Sequence, residues 1–368
     1  MNDGLSRLGW SAFFAAHLAP HAADGLSPAR VMAQEKLLYI VHIGTAELEA
    51  ELSGRFCHEA ERTGGYPAVG DWVLVRPQES ACPSRNLQSS IRNPESSADR
   101  AIVHALLPRR SGVSRKEPGA KTAEQVIAAN IDTVFIVAGL DRDFNPRRLE
   151  RYVATVLRSG ATPVIVLNKA DLHSNPAGAV AGLGTIAAGI AVHAVSAIGA
   201  SDLAVLRPYL RPGETVAFIG SSGVGKSTII NRLLGVERQQ TGEVSRAVGK
   251  GRHVTTRREL IPIPGGGLLM DTPGLRELQL WGDETELGAA FGDVAALAAQ
   301  CRFRDCRHEA EPGCAVRAAL ESGDLDPERL RNYESMQREL RFLKKRQRWT
   351  KMKKHQPRPP DTHRGETE

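Results

Sequence analysis

The sequence predicts a multidomain chain: a small N-terminal β-barrel, a central α/β domain built on a parallel sheet, and a C-terminal helical domain. Three observations lead there. Residues 37–106 carry short β-type apolar runs separated by turn signals. Residues 133–270 alternate near-continuous apolar runs with helical patterns. From residue 284 the pattern is helical, broken by three cysteines between positions 301 and 314.

The 368 residues, at roughly 100–200 per domain, suggest two or three domains. With 41% hydrophobic and 24% charged residues, the composition excludes a collagen or a wholly disordered chain. No run reaches the ~18 apolar residues of a spanning helix, so no membrane association is expected. The apolar run at 10–20 contains His17 and is followed by no clean small-x-small cleavage site. It reads as an amphipathic helix of a cytoplasmic protein rather than a secretory signal.

Residues 1–34 are expected to form an N-terminal extension and 35–111 the barrel. Barrel strands are assigned to 37–41, 46–52, 71–75 and 101–106, with turns at Gly64-Gly65 and Val69-Gly70-Asp71 and no helix between them. The Ser-, Pro- and Asn-rich stretch 77–99, which holds Cys82, reads as a loop between two strands. Residues 112–280 form the α/β domain. Its apolar runs at 133–138, 163–167, 215–219 and 267–270 are buried strands, and 147–158 is a covering helix. Residues 281–338 form the helical domain, and 339–368 a basic tail.

Gly220-Ser221-Ser222-Gly223-Val224-Gly225-Lys226-Ser227 fits GxxxxGK(S/T). It follows a predicted strand and opens a predicted helix at Thr228, the context this phosphate loop requires. Backbone N–H groups freed by the glycines, with the helix N-terminus, cradle phosphate oxygens. Lys226 supplies charge to the terminal phosphates, and the Ser227 hydroxyl is a ligand for Mg²⁺. The motif alone does not separate ATP from GTP.

Asn168-Lys169-Ala170-Asp171 ends a strand and matches NKxD. The Asp171 carboxylate can accept two hydrogen bonds from guanine's ring N–H and exocyclic amine, a donor pair adenine lacks. Asn168 is expected to reach the other side of the base and the Lys169 stem to pack on it. Ser196-Ala197 matches the backbone segment that covers the guanine carbonyl. Asp271-Thr272-Pro273-Gly274 follows another strand: Asp271 is placed on Mg²⁺ through water, and the Gly274 N–H on the terminal phosphate. Between these motifs, Gly251-Arg252-His253-Val254-Thr255-Thr256 is the expected switch, with Thr256 the first choice for Mg²⁺ and Thr255 the second.

Here NKxD and Ser-Ala precede the phosphate loop, whereas in most GTPases they follow it. This is a circular permutation. Leu275 stands where many GTPases have a water-orienting glutamine, and an apolar side chain cannot orient water, so slow intrinsic hydrolysis is expected. His253 is the nearest polar candidate for that role; its alternatives are a structural role or a contact with RNA.

Cys301, Cys306, His308 and Cys314 have the spacing C-x4-C-x-H-x5-C. Three thiolates and an imidazole make a closed tetrahedral set that favours one structural zinc. Cys57 and Cys82 belong to no such set. Residues 338–358 hold ten Lys or Arg and one acid, a charge of +9, which leaves −3 on the rest of a chain whose net charge is +6. A stripe of this kind neutralises phosphates and gives salt-dependent affinity for nucleic acid.

The permuted order, Gly251-Arg252-His253, Gln125-Val126-Ile127-Ala128-Ala129-Asn130-Ile131-Asp132 and Arg148-Leu149-Glu150-Arg151-Tyr152 together resemble the RsgA family of small-subunit-dependent GTPases over residues 37–336. Val69-Gly70-Asp71-Trp72-Val73 and Leu107-Pro108-Arg109-Arg110-Ser111 resemble that family's barrel, which is an OB-fold. The resemblance implies a slow GTPase, stimulated by the small ribosomal subunit, that acts late in its maturation and contacts its rRNA. A monomer cycling between GTP and GDP is expected. The reading from another class is a GTP-gated RNA-binding module with incidental turnover. The sequence departs from the family at Val254, where many members have threonine, and in the longer 77–99 loop.

Overall fold

The computed structural model describes residues 3–35, 38–78, 100–116, 124–142, 144–198, 202–235, 258–271 and 290–354. Two short helices, α1 (Asp3–Arg7) and α2 (Ala12–Leu18), lead into strand β1 (Ser27–Glu35). The barrel continues with β2 (Leu38–His42), β3 (Glu47–Leu52), helix α3 (Gly54–Thr63), β4 (Trp72–Gln78) and β5 (Arg100–Leu106). The spatial order is β1-β2-β3-β5-β4, and β4 pairs back onto β1. β3 and β5 are parallel and the other neighbours antiparallel, which is the five-stranded OB arrangement. Alternate residues point inward, and Val31, Tyr39, Val41, Leu48, Val73 and Val103 fill the interior.

Two expectations change here. Residues 3–34, expected as part of an extension, belong to the folded body: β1 closes the barrel, and Leu5, Leu8 and Phe14 are buried with Trp72 on the barrel's outer face. The Trp10 and Trp72 rings meet edge to face at 4.7 Å between centroids. A helix also interrupts the strand series. Ser53 starts α3 by accepting a hydrogen bond from the Phe56 N–H, and Gly64 ends it in the left-handed region.

After the hairpin β6 (Gly112–Lys116) and β7 (Glu124–Ala129) comes the α/β domain. It contains β8 (Thr133–Gly139), helix α4 (Pro146–Arg158), β9 (Thr162–Asn168), helix α5 (Pro176–Ala181), β10 (Ala191–Ala194), β11 (Thr215–Ile219), helix α6 (Lys226–Leu234), β12 (Arg258–Pro262) and β13 (Leu268–Asp271). The order is β10-β9-β8-β11-β13-β12, parallel except for β12. Apolar side chains alternate between the two faces. Val134, Ile136, Ile165 and Ile219 meet Leu149 and Val153 of α4 on one face. Phe135, Val164, Val166 and Phe218 meet Ile229 and Ile230 of α6 on the other. This two-sided burial is why the strands read as continuous apolar runs.

The barrel and the α/β sheet are joined edge to edge, with β1 antiparallel to β12 at Ala33↔Glu259 and Gln34↔Arg258. Arg30 fixes the junction from inside. It donates to the carbonyls of Leu8, Gly70 (3.0 Å) and Asn130 (3.0 Å) and to Thr215 Oγ1 (3.0 Å). Complete burial draws its guanidinium down to about 10.

The C-terminal domain consists of α7 (Gly292–Ala298), α8 (Ala315–Ser322) and the long α9 (Pro327–Lys354), packed around Phe291, Val294, Val316, Tyr333 and Met336. Among the described residues, no helix is long and apolar enough to cross a membrane.

Candidate nucleotide and metal sites

The parallel strands end at one edge of the sheet, where α/β folds bind ligands. β11 ends at Ile219, and Gly220 begins the phosphate loop with φ 141°. A Cβ there would lie 2.1 Å from the Val137 carbonyl oxygen, so the loop passes against β8 only as glycine. Gly225 (φ 95°) is the N-cap of α6 and offers no side-chain cap, which leaves the helix's first N–H groups available to an anion. Lys226 is buried, and its ammonium donates to the carbonyls of Gly220 (2.7 Å) and Ser221. The register Ala217↔Met270 brings the next residue, Asp271, to the same end of the sheet as Gly220.

NKxD follows β9. Asn168, expected to reach the base, also bridges two loops of the site. Its side chain is buried and both ends of its amide are engaged: Nδ2 donates to the Val224 carbonyl (2.8 Å), and Oδ1 accepts from the Ala197 N–H (2.9 Å). Asn168 therefore ties the phosphate loop to the Ser196-Ala197 segment. Lys169 sits in the left-handed region (φ 63°) and its ammonium donates to Asp141 at 2.6 Å. That partner, in the turn after β8, was not foreseen; no local sequence signal links positions 141 and 169. Asp171 is exposed on the turn that follows, and Ser196 and Ala197 are buried beside Asn168's amide. Arg148, at the start of α4, donates to Ser221 Oγ at 2.7 Å, a second contact that spacing could not suggest. Ser222, Gly223, Ser227 and Thr228 lie on the loop and the first turn of α6. His253, Thr255, Thr256, Gly274 and Leu275 lie outside the described residues, as do Cys82 and residues 355–368.

In the C-terminal domain, the ligand atoms of Cys301, Cys306, His308 and Cys314 all lie within 4.8 Å of one another. Cys301 Sγ is 3.7 Å from His308 Nδ1 and 3.9 Å from Cys314 Sγ, and Cys314 Sγ is 3.5 Å from Nδ1. A tetrahedron with metal–sulfur bonds of ~2.3 Å and metal–nitrogen bonds of ~2.1 Å has edges of about 3.8 and 3.6 Å. The cluster therefore has the size and chemistry to hold a metal ion. His308 adopts φ 63° to aim its ring inward, a conformation costly for a residue with a Cβ.

Comparison with known proteins places these sites in a family. The RsgA GTPase family model matches residues 106–281. A "Small ribosomal subunit biogenesis GTPase RsgA" of Opitutus terrae is 50% identical over 349 residues, covering 93% of this chain and 91% of that protein. The chain belongs to the RsgA GTPase family. A relative of the same name from Syntrophotalea carbinolica is 43% identical, over 91% of this chain and 89% of its own. The fold is shared with the crystal structure of YjeQ from Thermotoga maritima (TM-score 0.61, 23% identity, 86% of this chain and 98% of that one). It is also shared with that of YloQ, described as a circularly permuted GTPase (TM-score 0.56, 22% identity, 92% and 99%). The permutation expected from motif order is thus a feature of this fold. RsgA relatives match through the barrel as well as the GTPase domain, as their coverage requires.

Proposed function

We propose that this protein is a Mg²⁺-dependent GTP hydrolase that acts in maturation of the small ribosomal subunit, and that the subunit stimulates its slow intrinsic turnover. The observation that carries this reading is the joining of the phosphate loop to the guanine motifs through Asn168, in a chain half identical to a named subunit-biogenesis GTPase. Lys226 neutralises the terminal phosphates, Ser227 and Asp271 hold Mg²⁺, and Asp171 reads guanine. Thr256, or Thr255, completes the Mg²⁺ shell, and His253 is the candidate for ordering water. Cys301, Cys306, His308 and Cys314 bind one structural zinc.

The basic end of α9 and the tail beyond it, with the barrel, supply the rRNA contacts. The protein is cytoplasmic and works as a monomer. Multiple-turnover GTP hydrolysis, with and without purified small subunits, tests the reading. At least tenfold stimulation is expected, because a chain lacking a water-orienting glutamine needs its switch ordered from outside. Turnover that ignores the subunit, together with equal subunit binding in GDP and in a non-hydrolysable GTP analogue, would refute it.

A further inference from the structure

Helix α4 presents three working faces. Leu149, Val153 and Val156 pack into the sheet core. Arg148 reaches the phosphate loop at Ser221. Arg147, Glu150, Arg151 and Ala154, spaced i, i+3, i+4 and i+7, form a third stripe, and all four meet the C-terminal domain. Arg147 pairs with Asp326, Arg151 with Glu339 (2.9 Å), and Ala154 lies in the C-terminal core cluster.

Glu150 is the centre of this stripe. Its carboxylate is only 2% exposed, and it accepts from Arg147 (2.7 Å), Arg329 (2.9 Å) and Asn332. Arg329 is equally buried. Asp293 holds it through two bonds of 2.6 and 2.8 Å, and its guanidinium lies 4.8 Å from the centroid of the Phe291 ring. Burial raises the Asp293 carboxyl, but the bonds from Arg329 more than reverse this and leave it below its ordinary range. Phe291 and Tyr333 share one core with Cys301, Cys306 and Cys314, so the buried pair is continuous with the packing around the metal cluster.

We propose that α4 joins the phosphate loop to the C-terminal domain, with Arg148 and Glu150 as its positioning residues. The inference rests on the nucleotide-binding reading above. The physical step begins at the loop. A terminal phosphate draws Lys226 away from the carbonyls of Gly220 and Ser221, which frees Ser221 to shift, and Arg148 follows its hydroxyl. Arg148 stands in the same turn as Arg147, Glu150 and Arg151. A helix is stiff over one turn, so a change in its seating reaches Arg329 and Asn332 directly. Breaking a buried, hydrogen-bonded charge pair is costly, so the Glu150–Arg329 pair moves as a unit rather than absorbing the shift. Linkage makes the effect reciprocal: a partner that moves the C-terminal domain changes nucleotide affinity.

The test is hydrogen exchange of amides 327–340 in the full-length chain, with GDP or a non-hydrolysable GTP analogue at saturation. Binding is checked in each variant with a fluorescent guanine nucleotide. In wild type, protection should differ between the two nucleotides by about fivefold or more, the lower end of ordinary coupling between sites. Arg148→Ala should bring the two within about twofold, as should Glu150→Gln. Glu150→Gln leaves Arg329 short of a charge and can loosen the domain itself, so the exposed Arg148 is the decisive position. Arg7→Ala, remote from α4, should keep the wild-type difference. Equal protection in wild type, or a full difference surviving in Arg148→Ala, would overturn the proposal while leaving the GTPase reading intact. Failure of the wild type to bind guanine nucleotide would overturn both.

Discussion

Asn168 lends itself to a quantitative prediction because both ends of its amide are accounted for. Asn168→Ala removes the donor to Val224 O and the acceptor of the Ala197 N–H, leaving two backbone groups unpaired at a buried site. A hydrogen bond lost in this way costs about 1–2 kcal/mol, so the pair is worth about 2–4 kcal/mol. If the loss appears mainly as looseness between the phosphate loop and the Ser-Ala segment, nucleotide affinity falls by about 30- to 700-fold. Asn168→Asp sharpens the test. It keeps the size of the side chain and an acceptor for Ala197, but sets a second carboxylate oxygen against the Val224 carbonyl. It should bind guanine nucleotide no better than Asn168→Ala does. The assay is titration of a fluorescent guanine nucleotide, paired with urea unfolding to separate affinity from folding. An Asn168→Ala affinity within threefold of wild type would show that the bridge does not organise the site.

Three further outcomes are expected. Lys226→Ala should lower GTP turnover by at least a hundredfold, since Lys226 is the one cation within the loop segment 220–228; turnover within twofold of wild type would remove it from the phosphate site. Metal analysis of the intact protein should find one zinc per chain, lost or sharply reduced in Cys306→Ser and retained in Cys57→Ser; equal content in both variants would dismiss the four-residue cluster. The C-terminal domain should weaken in acid. For Asp293 and Asp326, burial raises the carboxyl but hydrogen bonds from Arg329, and from the Glu328 N–H with Arg147, respectively, hold each below its ordinary value of 3.8. A depressed carboxyl contributes stability that is full above its unfolded value and lost as pH falls through the folded one. The urea midpoint should therefore drop as pH is lowered below about 4, and drop less in Asp293→Asn; identical acid profiles would count against the pair.

What the sequence revealed follows from how local each signal is. The phosphate loop and NKxD are short motifs whose chemistry lies within eight and four residues, and the buried strands announce themselves as apolar runs. β1 does not. Ser27–Glu35 carries a proline and an arginine, and its place in the barrel depends on Arg30 finding carbonyls from Leu8, Gly70 and Asn130. Nothing within reach of a sequence window shows that an arginine will be fully buried. Helix α3 escapes a sequence reading because its apolar stripe is short, Phe56 and Ala60 one turn apart among polar residues. The role of Asn168 turns on Val224 and Ala197, which lie 56 and 29 residues away. Glu150 and Arg329 are separated by 179 residues, and only the tertiary fold makes them neighbours.

The pairing of β1 with β12 bears on how this chain can be cut. β12 is the outer strand of the GTPase sheet, and its first residues, Arg258 and Glu259, are covered by Gln34 and Ala33. A fragment starting at residue 112 would strip that cover, exposing unpaired backbone groups on a strand that carries Leu260 and Ile261. It would also lose Leu5, Leu8, Phe14 and Trp72 from a core they share with the sheet. Bare strand edges and uncovered apolar surface are the usual templates for aggregation. A GTPase fragment designed from the change in sequence texture near residue 111 would therefore be recovered as aggregate or require a charged substitution on β12. The barrel and the sheet therefore have to be expressed together.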